Sequence, residues 1–301
     1  MTTATLPDRP IPRQPQPEEA IKGRSLWADA WRRLLRNRAA VVSALLLAVI
    51  AIACFGARWF GPYPIDDIDW ENISTPPSAT HWFGTDENGR DLFTRTLYGG
   101  QVSLMVGIVA TLVSLVIGVA WGAIAGFIGG RVDALMMRTV DILYSLPYMF
   151  FVILLVVFFG RNILLIFVAL GAVQWLDMAR IVRGQTLSIR RREFIEAAEA
   201  SGVSKWRIIT RHIIPNCLGP VVVYVTLTVP NVILIESFIS FLGMGVQEPD
   251  SSWGTLVSEA AAVMEIAPWA IIGTGGILAV TLLCLNFIGD GMRDAFDPKD
   301  R

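Results

Sequence analysis

The chain has 301 residues, of which 53% are hydrophobic and only 17% are charged, and its formal net charge is −1. A soluble protein of this length carries charge on about a quarter of its residues, so the composition indicates an integral membrane protein. Cys54, Cys217 and Cys284 lie in or beside apolar runs and are expected to be buried thiols. The only histidines are His81 and His212, which excludes a histidine-rich metal site. We expect neither a metal ion nor a nucleic-acid partner.

The N-terminal tail divides into two parts. Residues 1–22 are rich in proline and polar groups and are expected to form a disordered cytoplasmic tail. In residues 23–38, Trp27 and Trp31 recur at helical spacing beside several arginines. This pattern predicts an interfacial amphipathic helix on the inner membrane surface, because a soluble helix would leave both tryptophans in water.

Six apolar stretches are long enough to cross a bilayer, whose hydrocarbon core of ~30 Å needs roughly 20 residues of helix. They are residues 39–60, 101–128, 139–160, 162–182, 217–243 and 267–289. The predicted fold class is therefore an all-α integral membrane protein with six transmembrane helices. Pro147 and Pro230 are expected to kink the spans that contain them.

The placement of arginine and lysine predicts the orientation of these spans. Basic residues concentrate in the N-terminal tail, in 183–211 and near the C terminus, whereas 61–97 and 246–266 are mainly acidic. We expect both termini and the loop 184–216 in the cytoplasm and the acidic segments outside. After the first span, the predicted regions are a periplasmic segment at 61–100, a core domain at 101–291 and a cytoplasmic tail at 292–301.

The cytoplasmic loop carries a polar, helix-prone segment between two apolar spans. Residues from Glu193 to Ser201 mostly favour a helix. Gly202 can end that helix at positive φ, and Pro215 suits the first turn of the next span. The sequence predicts a short helix, a turn, a second short helix and re-entry into the membrane. A helix resting on lipid headgroups is the alternative interpretation.

The spacing within this loop favours a protein partner over lipid. Glu196-Ala197-Ala198 is followed after three residues by Gly202, and then by His212-Ile213-Ile214-Pro215. Small alanines let a partner approach closely, and Glu196 offers a fixed charge to a basic groove. No lysine of the chain lies in a Gly-x-x-x-x-Gly-Lys-Ser/Thr loop. If ATP drives transport, another polypeptide must therefore bind it.

The outer segment contains a polar motif just before the second span. Its residues are Gly84, Thr85, Asp86, Glu87, Asn88, Gly89, Arg90 and Asp91. Thr85 or Asp86 could cap a helix there, and Asp86–Arg90 and Asp91–Arg95 have the spacing of ion pairs on one helix. We expect a salt-bridged surface helix. A metal site formed by His81, Asp86, Glu87 and Asp91 is the weaker alternative, because the spacing suits no familiar cage.

Ionisable residues inside spans are costly and are candidates for a translocation path. Asp141 follows Arg138 by one turn, and Asp177 precedes Arg180 by one turn, so local ion pairs explain both. Glu236 has no basic residue nearby in the sequence. It is the better functional candidate, although a hydrogen bond inside the helix bundle explains it equally well.

Three separated motifs together resemble the peptide/nickel branch of ABC importer permeases. They are the outer motif 84–91, the loop from Glu196-Ala197-Ala198 to Pro215, and Ser240-Phe241-Leu242-Gly243-Met244-Gly245 with the following Ser252-Trp253-Gly254. Residues 23–27, 175–186 and 297–301 are similar to the C-type permease subunits of bacterial oligopeptide importers. One departure is Glu248-Pro249, where relatives often have two prolines.

The resemblance implies a type I importer permease that forms half of a channel with a second, homologous permease in a bacterial inner membrane. Two ATPase subunits would bind below, so ATP and Mg²⁺ would belong to those partners, and this chain would have no cofactor and no catalytic residue. A periplasmic or lipid-anchored peptide-binding protein would deliver peptide. The implied ATPase-coupling loop consists of Glu193, Glu196, Ala197, Ala198, Gly202, Val203, Trp206 and Pro215.

Other functions stay open at this point. Within the same machinery, the substrate could be a dipeptide, a murein peptide or a nickel chelate. An ion-coupled secondary transporter would use Asp141, Asp177 or Glu236 as a proton site and would survive ATP depletion. A membrane scaffold without transport would tolerate charge reversal at Glu196 and disruption of Gly202.

Overall fold

The computed structural model describes residues 26–159, 163–248 and 250–296. The predicted tail 1–22 lies outside these ranges. So do three other parts of the sequence that carry the resemblance: 23–25, Pro249 and 297–301. Within them, the regular structure is helical, apart from one isolated bridge between Thr85 and Asp91. The all-α class predicted from the sequence is confirmed for this part of the chain.

Twelve α-helices and one π-helical turn follow one another along the described residues. They are α1 (Leu26–Arg36), α2 (Arg38–Phe55), α3 (Ala57–Phe60), α4 (Leu92–Ile128), α5 (Gly130–Ser145), α6 (Tyr148–Phe159), α7 (Ile163–Arg190), α8 (Glu193–Ala200), α9 (Lys205–Ile208), the π-helical turn (Ile209–Ile213), α10 (Ile214–Phe241), α11 (Trp253–Ala262) and α12 (Pro268–Phe296).

Four helices among the described residues are long and apolar enough to cross a membrane. They are Arg38–Phe55, Leu92–Ile128, Lys205–Phe241 and Pro268–Phe296. The two other predicted spans, 139–160 and 162–182, include residues outside the described ranges. The number of six spans therefore stays a prediction.

Helices α4 and α7 pack closely because glycines remove side chains from their interface. Gly118, Gly122 and Gly126 recur every four residues of α4, and a Cβ on any of them would collide with α7. At Gly122 that Cβ would lie 2.9 Å from the backbone nitrogen of Arg183. In a membrane, where lipid tails compete with apolar side chains, such close backbone contact is a main source of helix association.

Proline acts differently at the two predicted kinks. Pro147 does not kink one long helix: α5 ends at Ser145, and α6 begins at Tyr148. Leu146 between them is extended, with φ −75° and ψ 137°, the conformation that a following proline favours. Pro230 instead lies inside the continuous helix α10. The break at 146–147 leaves a cavity beside α7.

The N-terminal helix α1 lies within the range predicted for an interfacial helix. Trp27 packs edge-on against Phe296 at 5.2 Å between ring centroids, which joins α1 to the end of α12. Trp31 is 62% exposed, as expected for an aromatic side chain that rests in the headgroup region. Asn37 then caps α2 by accepting a hydrogen bond from the Ala40 backbone nitrogen at 3.2 Å.

The close contact at Gly122 predicts that a larger side chain at this position lowers the stability of the protein. Gly122→Leu would drive a side chain into the α7 backbone, and overpacking of this kind typically costs about 1–3 kcal/mol or more. We expect a lower midpoint of thermal denaturation in detergent. Gly276→Leu is the matched control, because nothing lies within 4 Å of a Cβ at that glycine. Equal midpoints for the two variants would contradict the packing argument.

Candidate functional site

The cytoplasmic loop begins with the short helix α8 and a left-handed turn. Gly202 has φ +75°, as the sequence predicts. Its backbone nitrogen donates to the Glu199 carbonyl at 3.0 Å, and that of Val203 donates to the Ala198 carbonyl at 3.1 Å. These are the two hydrogen bonds of a Schellman motif. They end the helix sharply and fix the direction in which the chain returns.

One side of α8 is anchored in the interior. Ile195 is completely buried and belongs to a core cluster with Ile189 of α7 and Ile208 of α9. Ala198 and Val203 pack against the same cluster. α8 therefore rests on residues from both neighbouring segments, α7 and the helical segment that begins at Lys205.

The other side of α8 faces away from the protein. Glu193, Glu196 and Ala197 are exposed, and Trp206 at the start of α9 is 64% exposed. The two alanines of the motif therefore differ, since Ala197 points outward and Ala198 inward. An exposed tryptophan beside a small alanine and acidic side chains is a surface suited to a protein partner.

The second half of the loop differs from the prediction. The predicted second short helix is present as α9, but it is not separate from the next span, because residues Lys205–Phe241 run as one continuous helical segment. The π-helical turn Ile209–Ile213 lies just before Pro215, which occupies the first turn of α10. Proline lacks the N–H that would bond one turn back, and a local π-turn lets the helix continue across such a site.

Asp141 is paired across helices, and not with Arg138 one turn earlier as predicted. The Arg180 guanidinium donates to the Asp141 carboxylate at 2.8 Å, and it also lies 4.3 Å from the centre of the Tyr144 ring. The predicted Asp177–Arg180 pair is likewise replaced, because Arg180 points to α5. The sequence could not show this, since the partners are 39 residues apart.

Asp177 lines a cavity that reaches the surface of this chain. The cavity has a volume of about 320 Å³ and is lined by α5, α6, α7 and α10, with Gln174 and Asn231 beside Asp177. Neither amide was singled out from the sequence, although a glutamine or asparagine in an apolar span is a signal that could have identified them.

Glu236 is buried in a cluster of serines. The Ser240 hydroxyl donates to its carboxylate at 2.7 Å, and the Ser103 hydroxyl donates at 3.1 Å. Ser103 also accepts from the Trp253 backbone nitrogen at 3.1 Å. These bonds join α4, α10 and α11. The structure thus supports the interpretation of Glu236 as a polar contact within the helix bundle.

The outer motif is a loop, and not the predicted surface helix. Asp91, rather than Thr85 or Asp86, caps α4 by accepting from the Thr94 backbone nitrogen at 2.7 Å. Asp91 also bonds His81 Nδ1 at 2.9 Å, so the predicted Asp91–Arg95 pair is wrong. Positive φ at Gly84 and Gly89, at 76° and 79°, gives the loop its turns.

Asp86 is the centre of an ion-pair network in this loop. It accepts from Arg90 Nε at 2.8 Å, the predicted pair, and from the buried Arg95 at 2.6 Å. Arg95 also forms an ion pair with Glu259 of α11 at 2.7 Å, and Arg90 forms one with Glu248 at 2.9 Å. Burial by itself would lower the pKa of Arg90, but Asp86 and Glu248 together raise it. Glu248, which stands where relatives often have a proline, is therefore part of this network.

No group of three or more His, Cys, Asp or Glu side chains is arranged to hold a metal ion within 26–159, 163–248 and 250–296. Within the outer motif, Asp86 is instead bonded to Arg90, Arg95 and backbone N–H groups, and Asp91 to His81 and the Thr94 backbone nitrogen.

Comparison with known proteins identifies the family. A family model described as the binding-protein-dependent transport system inner membrane component matches residues 118–301. The chain belongs to this family. A second model, the N-terminal TM domain of oligopeptide transport permease C, matches residues 25–77. The protein is therefore a multi-pass membrane component of a transport system, to which further subunits belong.

Individual relatives extend the similarity over nearly the full length. The oligopeptide transport system permease protein OppC of Escherichia coli strain K12 is 58% identical, covering 93% of this chain and 94% of its own. OppC of Haemophilus influenzae is 56% identical, with 94% and 92% covered. The dipeptide transport system permease protein DppC of Bacillus subtilis is 42% identical, with 91% and 86% covered.

The packing of α8 against the core can be tested by substituting two adjacent residues, one buried and one exposed. Ile195→Ala should leave a cavity under the helix, at a typical cost of about 2–5 kcal/mol. Phe194→Ala removes a side chain that is 41% exposed and should cost far less. We expect faster amide hydrogen exchange in 193–203 for Ile195→Ala only. Similar exchange in both variants would show that α8 is not held by Ile195.

Proposed function

We propose that this chain is the transmembrane permease subunit of an ATP-driven oligopeptide importer in a bacterial inner membrane. The observation that carries the proposal is the geometry of α8, whose inner side is anchored by Ile195 while its outer side is free to bind a partner. The two OppC relatives, which share more than half of their residues with this chain, support oligopeptides as the substrate.

Coupling follows from this geometry. Two ATPase subunits bind ATP and Mg²⁺ and close upon nucleotide binding. One of them binds the exposed face of the loop, which is formed by Glu193, Glu196, Ala197 and Trp206. Because α8 rests on α7 and on α9, the start of the helical segment Lys205–Phe241, its displacement moves both long helices. Such coupling requires that the ATPase binds the loop differently in two states of the channel. The chain itself supplies no cofactor and breaks no bond.

The remaining partners follow from the same assignment. A second, homologous permease completes the channel, and a periplasmic or lipid-anchored binding protein delivers peptide at the outer side. Six spans with both termini and the loop 184–216 in the cytoplasm agree with the distribution of basic residues. Lipid surrounds the outer face of the bundle.

Dipeptides are the second candidate substrate. The supporting observation is the relative named as a dipeptide transport permease, which is 42% identical to this chain. Murein peptides and nickel chelates use related machinery and are less supported. Uptake of labelled di-, tri- and pentapeptides by a strain that lacks its own peptide importers distinguishes these substrates.

The turn at Gly202 provides the main test of coupling. Gly202→Val places a β-branched residue at φ +75°, where it is strongly disfavoured. Because a Cβ there meets nothing within 4 Å, the strain affects the backbone alone. We expect normal membrane insertion, with ATPase co-purification and peptide uptake reduced about fivefold or more, as a strain of about 1–3 kcal/mol implies.

Gly202→Asn is the matched control, since asparagine tolerates this conformation far better. It should retain most of the uptake and ATPase association. Wild-type co-purification and uptake with Gly202→Val would show that the loop is not the coupling element.

Glu236 distinguishes ATP-driven from ion-coupled transport. Glu236→Gln removes the titratable group but keeps a carbonyl that can accept from Ser240 or Ser103. If Glu236 only joins helices, uptake should stay within about twofold of the wild type and remain insensitive to an uncoupler, because the amide largely replaces the bond. Abolished uptake in this variant, together with uncoupler-sensitive wild-type uptake, would favour a proton-coupled transporter.

A further inference from the structure

We propose that the cavity between the α5–α6 break, α7 and α10 is a binding site for the backbone of the peptide in transit. This inference rests on the proposed function, because it names the part of the chain that contacts the substrate inside the membrane. Its polar side chains are those of Tyr144, Gln174, Asp177 and Asn231, and its walls include Leu146 and Ile235.

The shape of the cavity follows from the broken helix. α5 ends at Ser145 and α6 begins at Tyr148, so no continuous helix fills the space in front of α7. The resulting volume of about 320 Å³ lies within the range of ~300–1,000 Å³ usual for ligand pockets. Leu146 is 44% exposed, so one wall of the cavity lies at the surface of this chain.

Gln174 provides the strongest indication of a ligand. Its side chain is only 6% exposed, yet its Nε2 has no hydrogen-bond partner in the part of the chain that the structure describes. A buried donor without a partner is costly. A peptide carbonyl that entered the cavity would satisfy this donor, whereas a lipid chain could not.

The other polar groups show that lipid does not cover the opening. Asn231 is exposed on α10, Asp177 is half-buried, and the Asp141–Arg180 ion pair lies exposed on the same side. Amide and charged groups at this depth must face protein or a water-filled path. In this proposal, this side of α7 and α10 faces the channel.

The chemistry of the cavity matches a peptide backbone. Gln174 donates, the Asp177 carboxylate accepts from an N–H or pairs with a terminal ammonium group, and Asn231 can do either. The apolar walls place no strict demand on side chains. A site of this kind binds groups that all peptides share, which suits a channel that passes many sequences.

Site-specific photocrosslinking provides a direct test. Benzoylphenylalanine replaces Leu146 in the complete importer, and radiolabelled peptide is supplied with its binding protein and ATP. We expect an ATP-dependent crosslink between the peptide and position 146. The control places the same group at Leu283 of α12, which is 54% exposed but lies outside the cavity, and no peptide crosslink should form there.

A matched pair of substitutions tests Gln174 itself. Gln174→Leu keeps the size of the side chain and removes the donor, so peptide uptake should fall about fivefold, the typical loss for one hydrogen bond. The midpoint of thermal denaturation should stay equal or rise, because an unpaired buried donor is gone. The control is Asn286→Leu, since the Asn286 amide is exposed and bonds its own helix at the Leu282 carbonyl, 2.8 Å away.

The outcomes separate this inference from the proposed function. Unchanged uptake in Gln174→Leu and no peptide crosslink at position 146, with normal uptake by the wild type, would overturn the cavity site alone. A crosslink from position 146 only to the second permease would also overturn it, because a subunit would then cover the cavity. No peptide uptake by the wild type would overturn the proposed function.

Discussion

The bilayer interior offers no water to polar groups, and the rest of this structure depends on that constraint. Backbone groups are satisfied within long helices, and hydroxyl side chains repeatedly bond their own helix. Thr274 and Thr281, for example, each donate to the carbonyl four residues earlier at 2.8 Å. Glu236 is surrounded by serine donors for the same reason. A buried donor without a partner among the described residues, such as Gln174 Nε2, is informative in this setting.

The same constraint bears on the role in coupling that we propose for the loop 193–203. Helix α7 ends just before α8, and the helical segment Lys205–Phe241 begins just after the turn at Gly202. α8 lies between them, held by Ile195 and by the two hydrogen bonds that follow Gly202. Under the proposed function, a partner that displaces α8 would move both helices, and the broken helix at 146–147 lines the same cavity as α7 and α10.

Local features were predictable, and long-range pairing was not. The end of α8 at Gly202 and the Asp86–Arg90 pair depend on residues within one or two turns, and both are confirmed. The predictions for Asp141 and Asp91 were wrong because each assumed a partner on its own helix. Their actual partners, Arg180 and His81, are 39 and 10 residues away. The spacing of residues along the sequence does not indicate which helices pack together.

By itself, the sequence determined the membrane class, the helical content and the position of the exposed loop, because these depend on hydropathy, composition and turn residues that act locally. Only the tertiary structure decided which face of α8 is anchored, how Arg95 joins Asp86 to Glu259, and that Gln174 lies unpaired beside a cavity. Those features arise where helices distant in the chain pack together, and glycines such as Gly122 set how closely they approach.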